Sequence, residues 1–236
     1  PAFLKQTYDP ENKVSLPYSW TTAGFAINRD LYKGEIKGWK DLFSKKDLTG
    51  KISLLDDVRE VTAGALKANG YSVNTVNPAE LKKAEDTLKE VRPRVKMFRS
   101  DTIDPLVNKE IAVAHTYSVD ALQAAKKSGG KIEYVIPEEG ATRAIDNLVI
   151  LKSAKNPGTA HELINFLISK ENNLEFVKTV MGGPVVKATH DALPKDMQDN
   201  RGLFPSATTM SRLEAIHDLG DSTKLYDRLW TKIKTE

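Results

Sequence analysis

The chain contains no cysteine, which excludes disulfide bridges, thiol nucleophiles and zinc–thiolate centres. No apolar run approaches the ~20 residues that a membrane-spanning helix needs. The 35 lysines and arginines are interspersed with 32 aspartates and glutamates. No basic stripe with interleaved aromatics results, so nucleic acid is not an expected partner. The four histidines, His115, His161, His190 and His217, lack metal-ligand spacing. Ser53 and Ser118 lie outside any G-x-S-x-G setting, and Gly182-Gly183-Pro184 reads as a turn rather than a phosphate loop. An enzyme, a metal centre and a bound cofactor therefore find no support. The chain opens on Pro1 rather than Met and shows no signal peptide, so a processed or truncated product is expected.

What is present is an alternation of strand-like and helical patterns over 236 residues, enough for one large or two small domains. Short apolar runs at 14–18, 24–28, 52–55, 95–98, 111–117, 132–136 and 144–150 read as strands. Helical patterns fall at 39–43, 60–68, 79–91, 120–127, 157–168 and 172–180, and the chain beyond Ala192 reads as helical with loop breaks. Such alternation predicts an α/β fold with sheets covered on both faces. Pro137-Glu138-Glu139-Gly140 separates two strands that do not look like a hairpin pair, which makes it a candidate seam between lobes.

The segment KISLLDDVREV, beginning at Lys51, carries the strongest functional signal. An apolar strand ends abruptly at Asp56-Asp57, and a helix starts at once, with Glu60 three residues after Asp57. Junctions at the carboxyl ends of strands in open α/β sheets are where ligands bind. A helix N-terminus normally attracts anions, so carboxylates there suit a site for a cation. The same Asp-x-x-Glu spacing is also a capping box, and the two readings are compatible because one carboxylate oxygen can cap while the other faces a ligand. Asp146, followed by Asn147, is a third acid at a strand. Together these acids offer the charged acceptors a polyvalent ammonium ligand needs. Tyr117 ends the strand 111–117 and is the best-placed aromatic face for such a cation, with Trp20 and Tyr18 near a second strand end. Half-buried packing for the tyrosine and a structural role for Asp146 remain open.

KISLLDDVREV, the following ALKANGYSVNT, VSLPYSWTTAGFAINRD, WKDLF, IEYVIPEEG, Asp146-Asn147, AKNPGTAHELINFL and LYDRLWTKIK resemble, in order and over essentially the whole chain, the bacterial spermidine/putrescine-binding proteins. These are the receptors of polyamine ABC transporters. The resemblance implies a periplasmic-binding-protein-like (type II) two-lobed α/β architecture, with the first lobe incomplete. Residues 14–140 plus 196–236 would form the second lobe, and 1–13 with 141–195 the remnant of the first and its hinge crossings. It further implies an extracytoplasmic, non-enzymatic protein that hands a polyamine to a membrane permease. Asp57, Glu60 and Asp146 would hold the amines, and Tyr117 stands where the family usually places a tryptophan. Ala144, Gly183 and Ile216 replace residues expected to be tryptophan, tyrosine and polar, and Arg143 adds a cation. The exact solute is therefore open: another small cationic or zwitterionic solute, or a sensor module that transports nothing, are the alternatives. Missing sheet partners for the first lobe predict exposed apolar faces, weak polyamine binding, and self-association or segment swapping.

Overall fold

The structure, a computed structural model, describes residues 3–235. In chain order the elements are β1 (Leu16–Asn28), α1 (Trp39–Ser44), β2 (Ile52–Leu54), α2 (Val58–Ala68), α3 (Pro78–Val91), β3 (Val95–Phe98), α4 (Ile103–Val107), β4 (Val113–Tyr117), α5 (Ser118–Lys127), β5 (Ile132–Val135) and β6 (Thr142–Leu148). Then follow α6 (Pro157–Ile168), α7 (Lys170–Val180), β7 (Gly183–Pro184), α8 (Lys187–Ala192), α9 (Lys195–Gln198), α10 (Ala207–Met210), β8 (Glu214–Ala215) and α11 (Thr223–Thr235). The chain divides into two compact units. Unit 1 comprises Pro1–Thr21 and Ala144–Phe204, and unit 2 comprises Thr22–Arg143 and Pro205–Glu236.

Unit 2 is built on a sheet in the order β3-β2-β4-β1-β5. Strand β2 is parallel to both β3 and β4, whereas β1 is antiparallel to β4 and β5. Strands β2 and β4 are short and buried between helices, whereas the edge strand β3 buries only Val95 fully. Ile52, Leu54, Val95 and Val113 meet Val61, Leu66, Leu81 and Leu88 of α2 and α3, and Tyr226, Leu229 and Ile233 of α11, in one core cluster. Two helix starts follow directly from sequence. Asp57 caps α2, and Asn77 caps α3 with Pro78 in the first turn, whose missing N–H costs nothing there. Gly24 is demanded by close approach: a Cβ on it would sit 2.4 Å from the Val135 carbonyl oxygen of β5.

The loop Pro137–Gly140 lies within unit 2 and packs onto α1. The Glu139 carboxylate accepts from the backbone N–H groups of Trp39 (3.0 Å) and Lys40 (2.9 Å), and the Trp39 indole donates to the Gly140 carbonyl (3.0 Å). The end of β6 within this unit pairs in parallel with β8, at Thr142 with Glu214 and Arg143 with Ala215.

In unit 1, β7 pairs with the first half of β1, at Ser19 with Pro184 and Trp20 with Gly183. Helices α6 and α7 carry its surface. Leu163 and Phe166 of α6 are 56% and 59% exposed, as are Val149 (56%) and Leu151 (69%) just beyond β6. The two runs expected at 14–18 and 24–28 are one 13-residue strand, because Ser19, Thr21 and Thr22 fit an extended backbone without adding apolar signal. The strand expected over 144–150 runs instead from Thr142 to Leu148.

Candidate functional site

At the carboxyl ends of the parallel strands of unit 2, chain reversals deliver acids and one phenol to the same neighbourhood. Strand β2 ends at Leu54, and three residues later Asp57 turns the chain into α2. One oxygen, Oδ1, accepts from the N–H groups of Arg59 (2.8 Å) and Glu60 (3.0 Å), so the second oxygen is not needed for capping. Half of the expected capping box is therefore formed. The other half is not: Glu60 turns inward, and its Oε2 accepts from the Thr142 hydroxyl at 2.6 Å.

Glu60 is 6% exposed, and Thr142 on β6 is 3% exposed. Desolvation pushes the Glu60 carboxyl up to about 7; the Thr142 hydrogen bond works against this, and the nearby Asp57 charge adds to it. No ion pair reaches Glu60 among the described residues. Its neighbour Arg59 points elsewhere, donating to the carbonyls of His217 (3.0 Å) and Val73 (3.2 Å) and to Asn74 Oδ1 (3.0 Å), with its guanidinium 4.6 Å over the Tyr226 ring.

Tyr117 ends β4, half-buried against the core cluster, and stands at the N-cap position of α5. Burial raises its phenol above the ordinary value, and the charges of Glu60, Asp57 and Asp120 push it the same way. Asp57, Glu60 and Tyr117, the three residues expected on this unit, are thus electrostatically within reach of one another. Three further groups belong to the same neighbourhood. Asp120, in the first turn of α5, is held above its ordinary value by burial and by Asp101. Tyr134 on β5 is raised by burial and also feels Glu60, while its hydroxyl pairs with the Thr22 hydroxyl (2.8 Å) and donates to the Thr22 carbonyl (3.0 Å). Thr142 is the third. Asp120 could have been found from sequence, since Tyr117-Ser118-Val119-Asp120 repeats the strand-end-then-acid logic of Asp57. Thr142 could not, because only the tertiary fold brings it to Glu60.

Two nearby acids already have ion-pair partners. Asp56 pairs with Lys234 at 2.7 Å, and that ammonium also lies 4.7 and 5.2 Å over the rings of Phe98 and Trp230. Asp101 pairs with Arg99 at 3.0 Å. In this neighbourhood, Asp57, Glu60 and Asp120 have no ion pair among the described residues. That set can accept hydrogen bonds from ammonium groups, with a phenol edge beside them.

His115 shares β4 with Tyr117 but is a core residue. It is 1% exposed, edge-on to Trp39 at 4.9 Å, and burial lowers it to about 3, so it stays neutral.

In unit 1, Asp146 lies on β6 and is exposed, on the same strand face as Ala144 two residues before it. Asn147, on the opposite face, donates to the Tyr8 hydroxyl at 2.9 Å. Gly183 has a steric reason to be glycine: a Cβ there would lie 2.1 Å from Nε1 of the Trp20 indole, which occupies the side-chain space. Arg143, in unit 2, forms no ion pair among the described residues, and Glu139 is committed to α1. Among the described residues no group of three or more histidine, aspartate or glutamate side chains has a metal-holding arrangement, and no helix is long and apolar enough to cross a membrane.

An α/β chain in two units, crossed by β1 and β6, with uncompensated acids at strand ends, has the construction of a type II periplasmic binding protein. The profile of the family described as bacterial extracellular solute-binding protein matches residues 1–205, and the chain belongs to that family. It is 34% identical over 237 residues to the spermidine/putrescine-binding periplasmic protein 1 of Haemophilus influenzae, covering 99% of this chain and 65% of that protein. It is 32% identical to the putrescine/cadaverine-binding protein of Pseudomonas aeruginosa, covering 98% of this chain and 69% of the other. Among solved structures, the spermidine/putrescine ABC transporter substrate-binding protein PotD of Streptococcus pneumoniae superposes with a TM-score of 0.90 at 31% identity. The match covers 99% of this chain and 72% of that one. The chain thus spans about two thirds of the length of the curated relatives it matches.

Proposed function

We propose that this chain is the binding component of a polyamine ABC transporter, an extracytoplasmic protein rather than an enzyme, which delivers a diamine or triamine such as putrescine or spermidine to a membrane permease. The observation that carries the reading is Glu60: a carboxyl group 6% exposed with one hydroxyl donor and no ion pair among the described residues. Burying a carboxylate without a countercharge is costly, and such groups are retained where a ligand supplies the charge. Asp57 would present its free oxygen to the same amine, and Tyr117 a ring edge and face to the methylene chain. On unit 1, Asp146 would take an amine as well. The names of the relatives at 32–34% identity support the choice of ligand class.

A thermal-shift and calorimetry panel tests this. Putrescine, cadaverine and spermidine are expected to raise the melting temperature and to bind saturably, because a ligand that binds only the folded state stabilises it. Affinity is expected to be modest, since Ala144 and Gly183 offer no aromatic wall. A response to γ-aminobutyrate but to none of the three polyamines would replace this reading with one of a zwitterion-binding protein, a role that the unpaired Arg143 would serve. Exposed Val149, Leu151, Leu163 and Phe166 further support self-association of the chain in solution.

A further inference from the structure

We infer that Thr142 and Glu60 form a proton-linked anchor, in which Thr142 is the positioning residue that holds the Glu60 carboxyl for the ligand and Glu60 gives up a proton when the ammonium arrives. The inference rests on the amine-binding reading and adds its coupling to protons.

The geometry sets the two charge states against each other. Glu60, in the first turn of α2, is 6% exposed and turns to Thr142 on β6, within electrostatic reach of tyrosines on β4 and β5. Its charge acts on the Tyr117 phenol of β4 and on the buried Tyr134 phenol of β5, whose hydrogen bonds go to Thr22. From β6 it meets Thr142, with its Oγ1 2.6 Å from Oε2. On its own helix the Asp57 charge opposes ionisation, and Arg59, whose guanidinium is engaged at His217, Val73, Asn74 and Tyr226, favours it weakly. Arg143 follows Thr142 on β6 and pairs with no acid among the described residues. Neither phenol carries charge near neutrality. One hydroxyl donor is therefore the main local support for the anion, and burial holds the carboxyl at about 7, where protonated and ionised forms coexist.

An ammonium group placed at Glu60 stabilises only the ionised form. Alkylammonium groups remain charged from pH 6 to 8, so the ligand brings its own charge throughout. Binding at or below pH 7 must then release the proton held by Glu60 to solvent, and affinity must fall as that proton becomes harder to remove. For a group half-protonated near pH 7, linkage gives roughly tenfold weaker binding at pH 6 than at pH 8, levelling off above pH 8. About half a proton is released per amine bound at pH 7, and nearly one at pH 6.

The test is calorimetric titration of the whole chain with putrescine at pH 6, 7 and 8, in phosphate and in Tris-type buffers of different ionisation enthalpy. The expected result is a buffer-dependent heat at pH 6 and 7 that vanishes at pH 8, with the roughly tenfold affinity change. Thr142→Val removes the hydroxyl donor at nearly constant volume and should move the midpoint of the affinity profile to higher pH, a shift that a merely structural threonine would not give. Glu60→Gln should bind weakly with no pH dependence over this range. Independently of ligand, melting temperature of the empty protein should fall from pH 5 to 8 more steeply in the wild type than in Glu60→Gln, because the native state holds a proton that the unfolded chain has lost. Putrescine binding with buffer-independent heats and equal affinity at pH 6 and 8 would overturn the proton-linked anchor and leave the amine-binding reading standing. Absence of binding at every pH would remove both.

Discussion

Asp57 does two things with one carboxylate, and substitution can separate them. Its Oδ1 accepts from the N–H groups of Arg59 and Glu60 at 2.8 and 3.0 Å, which caps α2, while its negative charge is proposed to meet an amine. Asparagine caps helices about as well as aspartate. Asp57→Asn should keep both backbone hydrogen bonds and lose only the interaction of charge with the helix dipole, roughly 0.3–1 kcal/mol. For a chain of this size, about 1 kcal/mol corresponds to about 2–4 °C in melting temperature. Asp57→Ala loses the cap as well, a further ~0.5–2 kcal/mol. The binding comparison runs the other way. Removing a charged acceptor costs about 1.5–3 kcal/mol, or roughly 10–150-fold in Kd for putrescine. Both variants should therefore bind poorly, and only the alanine variant should lose substantial stability. Differential scanning fluorimetry and calorimetry on the pair decide the matter. Asparagine binding putrescine as well as the wild type would refute the ligand role, and asparagine melting as early as alanine would refute the capping role.

Three other perturbations follow from particular contacts. Ala144→Trp places an aromatic ring on the strand face of Asp146 and should tighten diamine binding severalfold, since a cation–π contact contributes roughly 0.5–2 kcal/mol; unchanged or weaker binding by calorimetry would count against Asp146 as an amine acceptor. Gly183→Ala puts a Cβ 2.1 Å from the Trp20 indole and should destabilise by about 1–3 kcal/mol as the ring is displaced, seen as an earlier melt and red-shifted tryptophan emission. The Asp9 carboxylate is held at about 2 by the Ser15 hydroxyl and by the backbone N–H groups of Lys13, Val14 and Ser15. Its contribution is present above the unfolded value near 4 and is lost as pH falls toward 2. Urea midpoints measured from pH 5 to 2 should therefore fall less steeply in Asp9→Asn.

Legibility in the sequence followed the physics of each element. Helices α2, α3, α5, α6 and α7 were readable because amphipathic periodicity, a capping Asp57 or Asn77 and a closing glycine are local signals. Strands β2, β3, β4 and β5 were readable as apolar runs between turns. Strand β1 read as two pieces because the polar centre Ser19, Thr21 and Thr22 hides its continuity. The two-residue strands β7 and β8 have no periodicity to detect; they form because β1 and β6 offer them backbone partners. The same divide runs through the site. Asp57 announced itself as a cap, and Glu60 as its companion in a box. What Glu60 does instead depends on Thr142, 82 residues away in sequence. The countercharges on Asp56 and Asp101 are also set by residues brought in through the fold or by local turns, so the sequence alone could not say which acids remain free. Gly183 read as a lost tyrosine, and its cause is the Trp20 ring already filling that space.

The account stands on ammonium groups meeting the uncompensated carboxylates of unit 2, and carboxyl carbon NMR of selectively labelled protein observes those atoms themselves. Titration with putrescine at pH 7 should move the Glu60 side-chain resonance in the direction of ionisation, move Asp57 with the same saturation curve, and leave Asp9 and Glu85 in place. Saturable binding that leaves Glu60 and Asp57 unmoved, or shifts only acids elsewhere in the chain, would contradict it.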